Sequence, residues 1–104
     1  MIRRTWHGWT GSADADEYER LLREEIFPGI RARDVTGLRG LEAWRREEGD
    51  DVEFLTVMTF DDEAAIVEFT GGDPEQSVVP DAARGVLKRF DEHSRHYEPI
   101  IESR

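Results

Sequence analysis

Val52-Glu53-Phe54-Leu55-Thr56-Val57-Met58-Thr59-Phe60 is the stretch on which the fold turns. It is rich in β-branched and aromatic residues and reads as a strand. Its even positions carry Val52, Phe54, Met58 and Phe60, and its odd positions carry Leu55 and Val57, so its middle is apolar on both faces. Such a strand belongs inside a sheet with a cover on each side. The chain has 104 residues, enough for one domain (1–104) that buries roughly two-thirds of its unfolded surface, and too few for two. Helices from so short a chain cover one face only. The other face is left for a second subunit.

Upstream of this strand, Glu48-Gly49-Asp50-Asp51 is turn-prone and 37–46 (GLRGLEAWRR) reads as its hairpin partner. At the front of the chain, 2–10 reads as a first strand. Asp14 and Glu17 then have capping-box spacing for a helix whose stripe is Tyr18, Leu21, Leu22, Ile26 and Phe27, and which Pro28-Gly29 is expected to end. Downstream, Asp61 or Asp62 caps a helix carrying Ala65, Ile66 and Phe69, stopped by Gly71-Gly72. A polar linker, 73–77, leads to Pro80 at a first helical position and to a third stripe of Ala82, Ala83, Val86, Leu87 and Phe90. The segment 95–101 (RHYEPII) reads as the last strand, with Pro99 at its edge or end. This order predicts an α+β, ferredoxin-like split βαβ fold: a four-stranded antiparallel sheet with helices on one face and the first and third strands central. Two such sheets packed face to face form a dimeric α/β barrel.

Composition narrows the function classes. With 14 Lys and Arg against 24 Asp and Glu, the formal charge is −10, which repels nucleic-acid backbones and anionic membrane surfaces. The apolar runs are too short to span a bilayer, and the N-terminus lacks the apolar centre of an export signal, so a cytoplasmic protein is expected. There are no cysteines, which removes disulfides, thiolate metal sites and cysteine nucleophiles. Phosphate-binding glycine loops, nucleophile elbows, zinc-protease motifs and calcium loops are also absent. Neither a metal nor another cofactor is expected. His7, His96 and Glu98 together lack specific metal-ligand spacing.

Chemistry is concentrated at the two ends of the chain, in Trp6-His7-Gly8-Trp9 and His93-Ser94-Arg95-His96-Tyr97. The fold sets the last strand antiparallel beside the first, which makes His7 and His96 or Tyr97 candidate cross-strand neighbours. Two imidazoles, or an imidazole and a phenol, move protons near neutral pH, although a strand histidine also serves as a hydrogen-bonded structural residue. His93 reads as a helix-end surface residue. Trp6, Trp9 and Trp44, with Phe54 and Met58, are candidates to line an apolar pocket for a flat aromatic ligand, or to be core and interface.

The opening Trp6-His7-Gly8, the apolar third strand followed by an Asp-rich cap, and the ending Phe90-Asp91-Glu92-His93-Ser94-Arg95-His96-Tyr97-Glu98 resemble small bacterial proteins of the antibiotic biosynthesis monooxygenase-like family. The resemblance covers nearly the whole chain. It implies the same dimeric barrel, a homodimer through the sheet face, and a cofactor-independent monooxygenase acting on a small aromatic or polyketide-like compound that itself reduces dioxygen once deprotonated. In the family's oxygenases a pocket Trp, Asn and Arg assist, and its haem degraders combine Asn, Trp and a second-helix His. This sequence has no Asn, and its second helix has no His. The resemblance thus leaves His7 or His96 as the base, Tyr97 orienting the pair, and Trp6, Trp9, Trp44, Phe54 and Met58 shaping the pocket. A cyclase-like acid/base enzyme and a non-catalytic dimeric ligand-binding module are the alternatives.

Overall fold

The computed structural model describes residues 1–103. Strand β1 (Ile2–Gly11) leads through a short 3-10 turn, Ser12–Asp14, into α1 (Ala15–Leu21), a π-helical turn at Leu22–Ile26 and α2 (Phe27–Ala32). The hairpin β2 (Leu38–Glu48) and β3 (Asp51–Phe60) follows, then α3 (Glu63–Thr70), a single turn α4 (Asp81–Arg84), and the short strands β4 (Arg89–Phe90) and β5 (Arg95–Tyr97). The sheet runs β2-β3-β1-β4, and β5 also pairs with β1. All pairings are antiparallel. This is the expected ferredoxin-like α+β arrangement, with β1 and β3 in the centre.

Several local expectations are corrected. Asp14 and Glu17 do not form a capping box. Asp14 already has helical backbone angles and caps nothing, while Glu17 accepts from Arg20 at 2.6 Å. Pro28-Gly29 does not end the first helix. The backbone widens into a π turn just before Pro28, which relieves the clash between the proline ring and the preceding turn, and the helix continues to Ala32. The third helix shrinks to one turn and Phe90 belongs to β4, opposite Gly8. The fourth strand position is filled by two short strands, β4 and β5, rather than by one strand over 95–101.

Other local signals hold. Asp62, not Asp61, caps α3, accepting from the Ala65 N–H at 3.0 Å, and Gly71 ends it with φ of 85°. Asp61 instead pairs with Arg39 on β2 at 2.6 Å.

Register divides the side chains of the sheet. On β1 and β3 the pairs Ile2–Phe60, Arg4–Met58, Trp6–Thr56, Gly8–Phe54 and Thr10–Val52 face the helices. Arg3–Thr59, Thr5–Val57, His7–Leu55 and Trp9–Glu53 face away from them. The core beneath the helices is two clusters. One gathers Ala15, Tyr18, Leu22, Val52, Phe54 and Ala83. The other gathers Val35, Met58, Phe60, Ala65, Ile66 and Phe69.

Truncating Phe60, which is fully buried, to alanine should cost about 3–5 kcal/mol, and removing the α3 cap with Asp62→Ala about 1 kcal/mol. Urea unfolding followed by circular dichroism measures both, and the ranking should be Phe60→Ala well above Asp62→Ala.

Candidate functional site

A cavity of about 60 Å³ lies at the seam between the two core clusters, with Tyr18 and Leu22 from one, Met58 and Phe69 from the other, and Arg4, Trp6 and Thr56 from the sheet floor. Trp6 can lie there because the next inward position is Gly8. A Cβ on Gly8 would sit 2.9 Å from the Trp6 ring and 3.1 Å from Leu87. The indole N–H of Trp6 donates to the Asp91 carbonyl at 2.8 Å, in the gap between β4 and β5. The break in the fourth strand therefore fixes the ring.

Arg4 is the unusual member of this lining. It is 3 % exposed, and no carboxylate among the described residues pairs with it. Its Nη1 donates to the Pro74 carbonyl and to His96 Nε2 at 3.0 Å, and its Nη2 donates to the Gln76 carbonyl at 2.6 Å. Three of the five N–H groups of a guanidinium are thereby engaged. The linker reaches Arg4 because its backbone pairs with the same gap: Ser94 N–H donates to Glu75 O at 2.9 Å and Ser77 N–H to Glu92 O at 3.3 Å. Burial lowers the Arg4 pKa to about 10, opposed by the charge of Asp73, so the group stays cationic at neutral pH. A buried cation held only by neutral acceptors keeps much of its charge for a ligand.

The structure does not bring the expected histidine pair together. His96 stands opposite Arg4, and Thr5 opposite Arg95, so His7 has no partner on β5. Because Arg4 can only donate, His96 Nε2 accepts and the imidazole is neutral, protonated at Nδ1. His96 holds Arg4 from outside the cavity lining. His7 faces the opposite side of the sheet, where its Nδ1 lies 2.6 Å from Glu53 Oε2 and Arg46 donates to Glu53 Oε1 at 2.9 Å. Arg46 first, then His7, holds the Glu53 carboxyl below its usual range. Tyr97 is 54 % exposed, lies on that open side opposite Arg3, and orients neither histidine.

The pocket candidates divide in the same way. Trp6 and Met58 line the inner cavity, and Phe54 is core, edge-on to Tyr18 at 4.7 Å. Trp9 and Trp44 lie on the open face, Trp9 under the Arg89 guanidinium at 3.7 Å. Leu55, His7, Glu53 and Trp44 border a surface hollow there of about 270 Å³. His93 bridges to Gln76 in the gap rather than ending a helix. No group of three or more His, Asp or Glu side chains placed to hold a metal occurs among the described residues, and no helix among them is long and apolar enough to cross a membrane.

Sequence reading passed over Arg4, Glu53 and the linker carbonyls. The signal for Arg4 was present: it is the one charged residue in the inward phase of β1, between Ile2 and Trp6. Nothing in the sequence marks Pro74 and Gln76, because their role is carried by backbone.

No family model and no curated protein matches this sequence. Solved structures do share its fold. Rv0793 from Mycobacterium tuberculosis superposes with a TM-score of 0.60 at 15% identity, over 100% of both chains. A Bacillus cereus protein provisionally named an antibiotic biosynthesis monooxygenase superposes with a TM-score of 0.57 at 12% identity, over 99% of this chain and 96% of its own. At these identities the likeness is one of architecture.

The His96 contact has a pH consequence. Burial first, and the Arg4 charge second, lower the His96 pKa below its usual 6.5, against the opposing pull of Glu75 and Glu63. The unfolded chain therefore takes up this proton more readily than the folded one. The stabilisation is complete above pH 6.5 and is lost as pH falls below that value. The urea midpoint should drop between about pH 7.5 and pH 5.5, and His96→Gln should flatten that drop.

Proposed function

We propose that this protein is a cofactor-independent monooxygenase of the antibiotic biosynthesis monooxygenase-like family, cytoplasmic and dimeric, acting on a small aromatic or polyketide-like compound at the cavity beneath the helices. One observation carries the reading: Arg4, a buried guanidinium with no carboxylate partner among the described residues, borders an apolar cavity beside Trp6 and Met58. An apolar wall with one fixed cation suits the ionised form of a hydroxyaromatic compound.

Arg4 binds the substrate oxygen and stabilises its anion, lowering the pKa of the enol or phenol, whose proton passes to solvent water as the ligand enters and is returned to the peroxide oxygen before O–O cleavage. The Pro74 and Gln76 carbonyls and His96 fix the guanidinium plane, so His96 is a positioning residue. The electron-rich anion then gives one electron to dioxygen. The radical pair closes a C–O bond to form a peroxide at the activated ring carbon. Loss of the remaining C–H proton and cleavage of O–O release water and leave a carbonyl. Overall a CH₂ group and O₂ become C=O and H₂O, with the substrate as the only reductant. Trp6 and Tyr18 exclude bulk water, and burial keeps the Tyr18 phenol un-ionised.

The dimer in this reading forms through the open face, where Leu55, Val57 and the 63 % exposed Trp44 stand uncovered by helices. His7 and Glu53 then lie between subunits. Sedimentation should give a dimer, and Leu55→Glu should weaken it at least about 100-fold by burying an unpaired charge.

A second reading, a non-catalytic ligand-binding module, draws on the engagement of both histidines and the small volume of the cavity. Oxygen uptake with hydroxylated anthrones separates the two. The oxygenase turns over, and Arg4→Met lowers kcat by about 10²–10³ while Arg4→Lys retains part of it. Ligand binding without any oxygen uptake selects the module.

A further inference from the structure

The cavity at Arg4 is smaller than the roughly 150 Å³ that admits a benzene ring. Even one aromatic ring must therefore displace part of its wall. Two wall residues, Leu22 and Phe27, also line a second space, a groove of about 280 Å³ between the first helix and β2, floored by Leu41, Ala43 and Phe54 and bordered by Trp44. Leu22 and Phe27 are the two residues that line both cavity and groove. Joined, they fall within the range of small-molecule pockets, about 300–1,000 Å³.

The partition stands at the least regular point of the helix. Leu22 opens the π turn, Phe27 follows it, and Pro28 brings no N–H to the helical ladder. Backbone hydrogen bonding changes from α to π and back within these residues, so repacking Phe27 disturbs fewer regular bonds here than elsewhere along the rod. The groove is apolar and aromatic in its depth, while Glu19, Arg23, Glu42 and Arg45 form its polar rim. That lining suits flat rings and does not supply a second buried charge.

Resting on the reading of Arg4 as an anion-binding group, we propose that the groove beside β2 is the distal half of the same ligand site, which takes the further rings of a fused hydroxyaromatic compound whose ionised oxygen lies on Arg4, with Leu22 and Phe27 as the movable partition that sets ligand length. Ala43 is the position at which length is read, because it is an exposed alanine on the groove floor and a larger side chain there fills the groove without entering the core.

The test compares two coloured probes, para-nitrophenol with one ring and alizarin with three, by equilibrium titration and stopped-flow mixing with the full chain. Wild type binds both. Ala43→Trp weakens alizarin at least tenfold and leaves para-nitrophenol within twofold, while Phe27→Ala speeds alizarin association at least tenfold. If Ala43→Trp weakens both probes equally or neither, the groove is not part of the site, and the proposal falls while the role of Arg4 stands. If wild type binds neither probe, or Arg4→Met leaves both unchanged, the Arg4 reading fails and the groove proposal fails with it.

Discussion

A guanidinium buried on the inward face of the central strand is the constraint around which the rest of this structure is arranged. Arg4 stands where the pleat of β1 demands an apolar side chain, and a cation there is tolerable only if hydrogen-bond acceptors or an opposite charge compensate it. The chain supplies them from remote places: two carbonyls of the 73–77 linker and the imidazole of His96. To reach Arg4 the linker must lie against the sheet, and the gap between β4 and β5 gives it backbone to pair with. The divided fourth strand and the division of the core into two clusters both border this one buried charge.

The same constraint sorts the histidines. His96 shares the inward phase with Arg4 and is occupied in holding it, whereas His7 shares the opposite phase with Trp9 and Glu53. Strand alternation decides this, because residues of opposite parity on neighbouring strands cannot meet however close they lie along the sheet. The two histidines therefore serve different surfaces, one the sheet–helix seam and the other the face of the sheet turned away from the helices.

Much of the fold was legible because its signals are local. The two-sided apolar run at 52–60 and the turn at Glu48–Asp51 appear as read, and the cap read as Asp61 or Asp62 falls to Asp62. The misread features depend on context. Pro28 is a helix breaker unless the backbone widens ahead of it, and the π turn at Leu22–Ile26 does so. Val86, Leu87 and Phe90 have helical spacing, but pairing with the edge of β1 competes successfully for the last of them. At the site, the aromatic and histidine residues were visible as types, yet Trp6 and Met58 belong to one face and Trp9 and Trp44 to the other.

By itself the sequence determined an α+β domain with two central strands, an acidic exterior and a third strand apolar on both sides in its middle, because hydrophobic period, turn chemistry and charge are properties of neighbouring residues. Only the tertiary structure decided which chemistry the site offers. It set the register that places His96 against Arg4, brought backbone carbonyls from seventy residues away to a single cation, and left a seam between two cores. Those are long-range choices of register and backbone position, and side-chain identity along a chain carries no direct record of either.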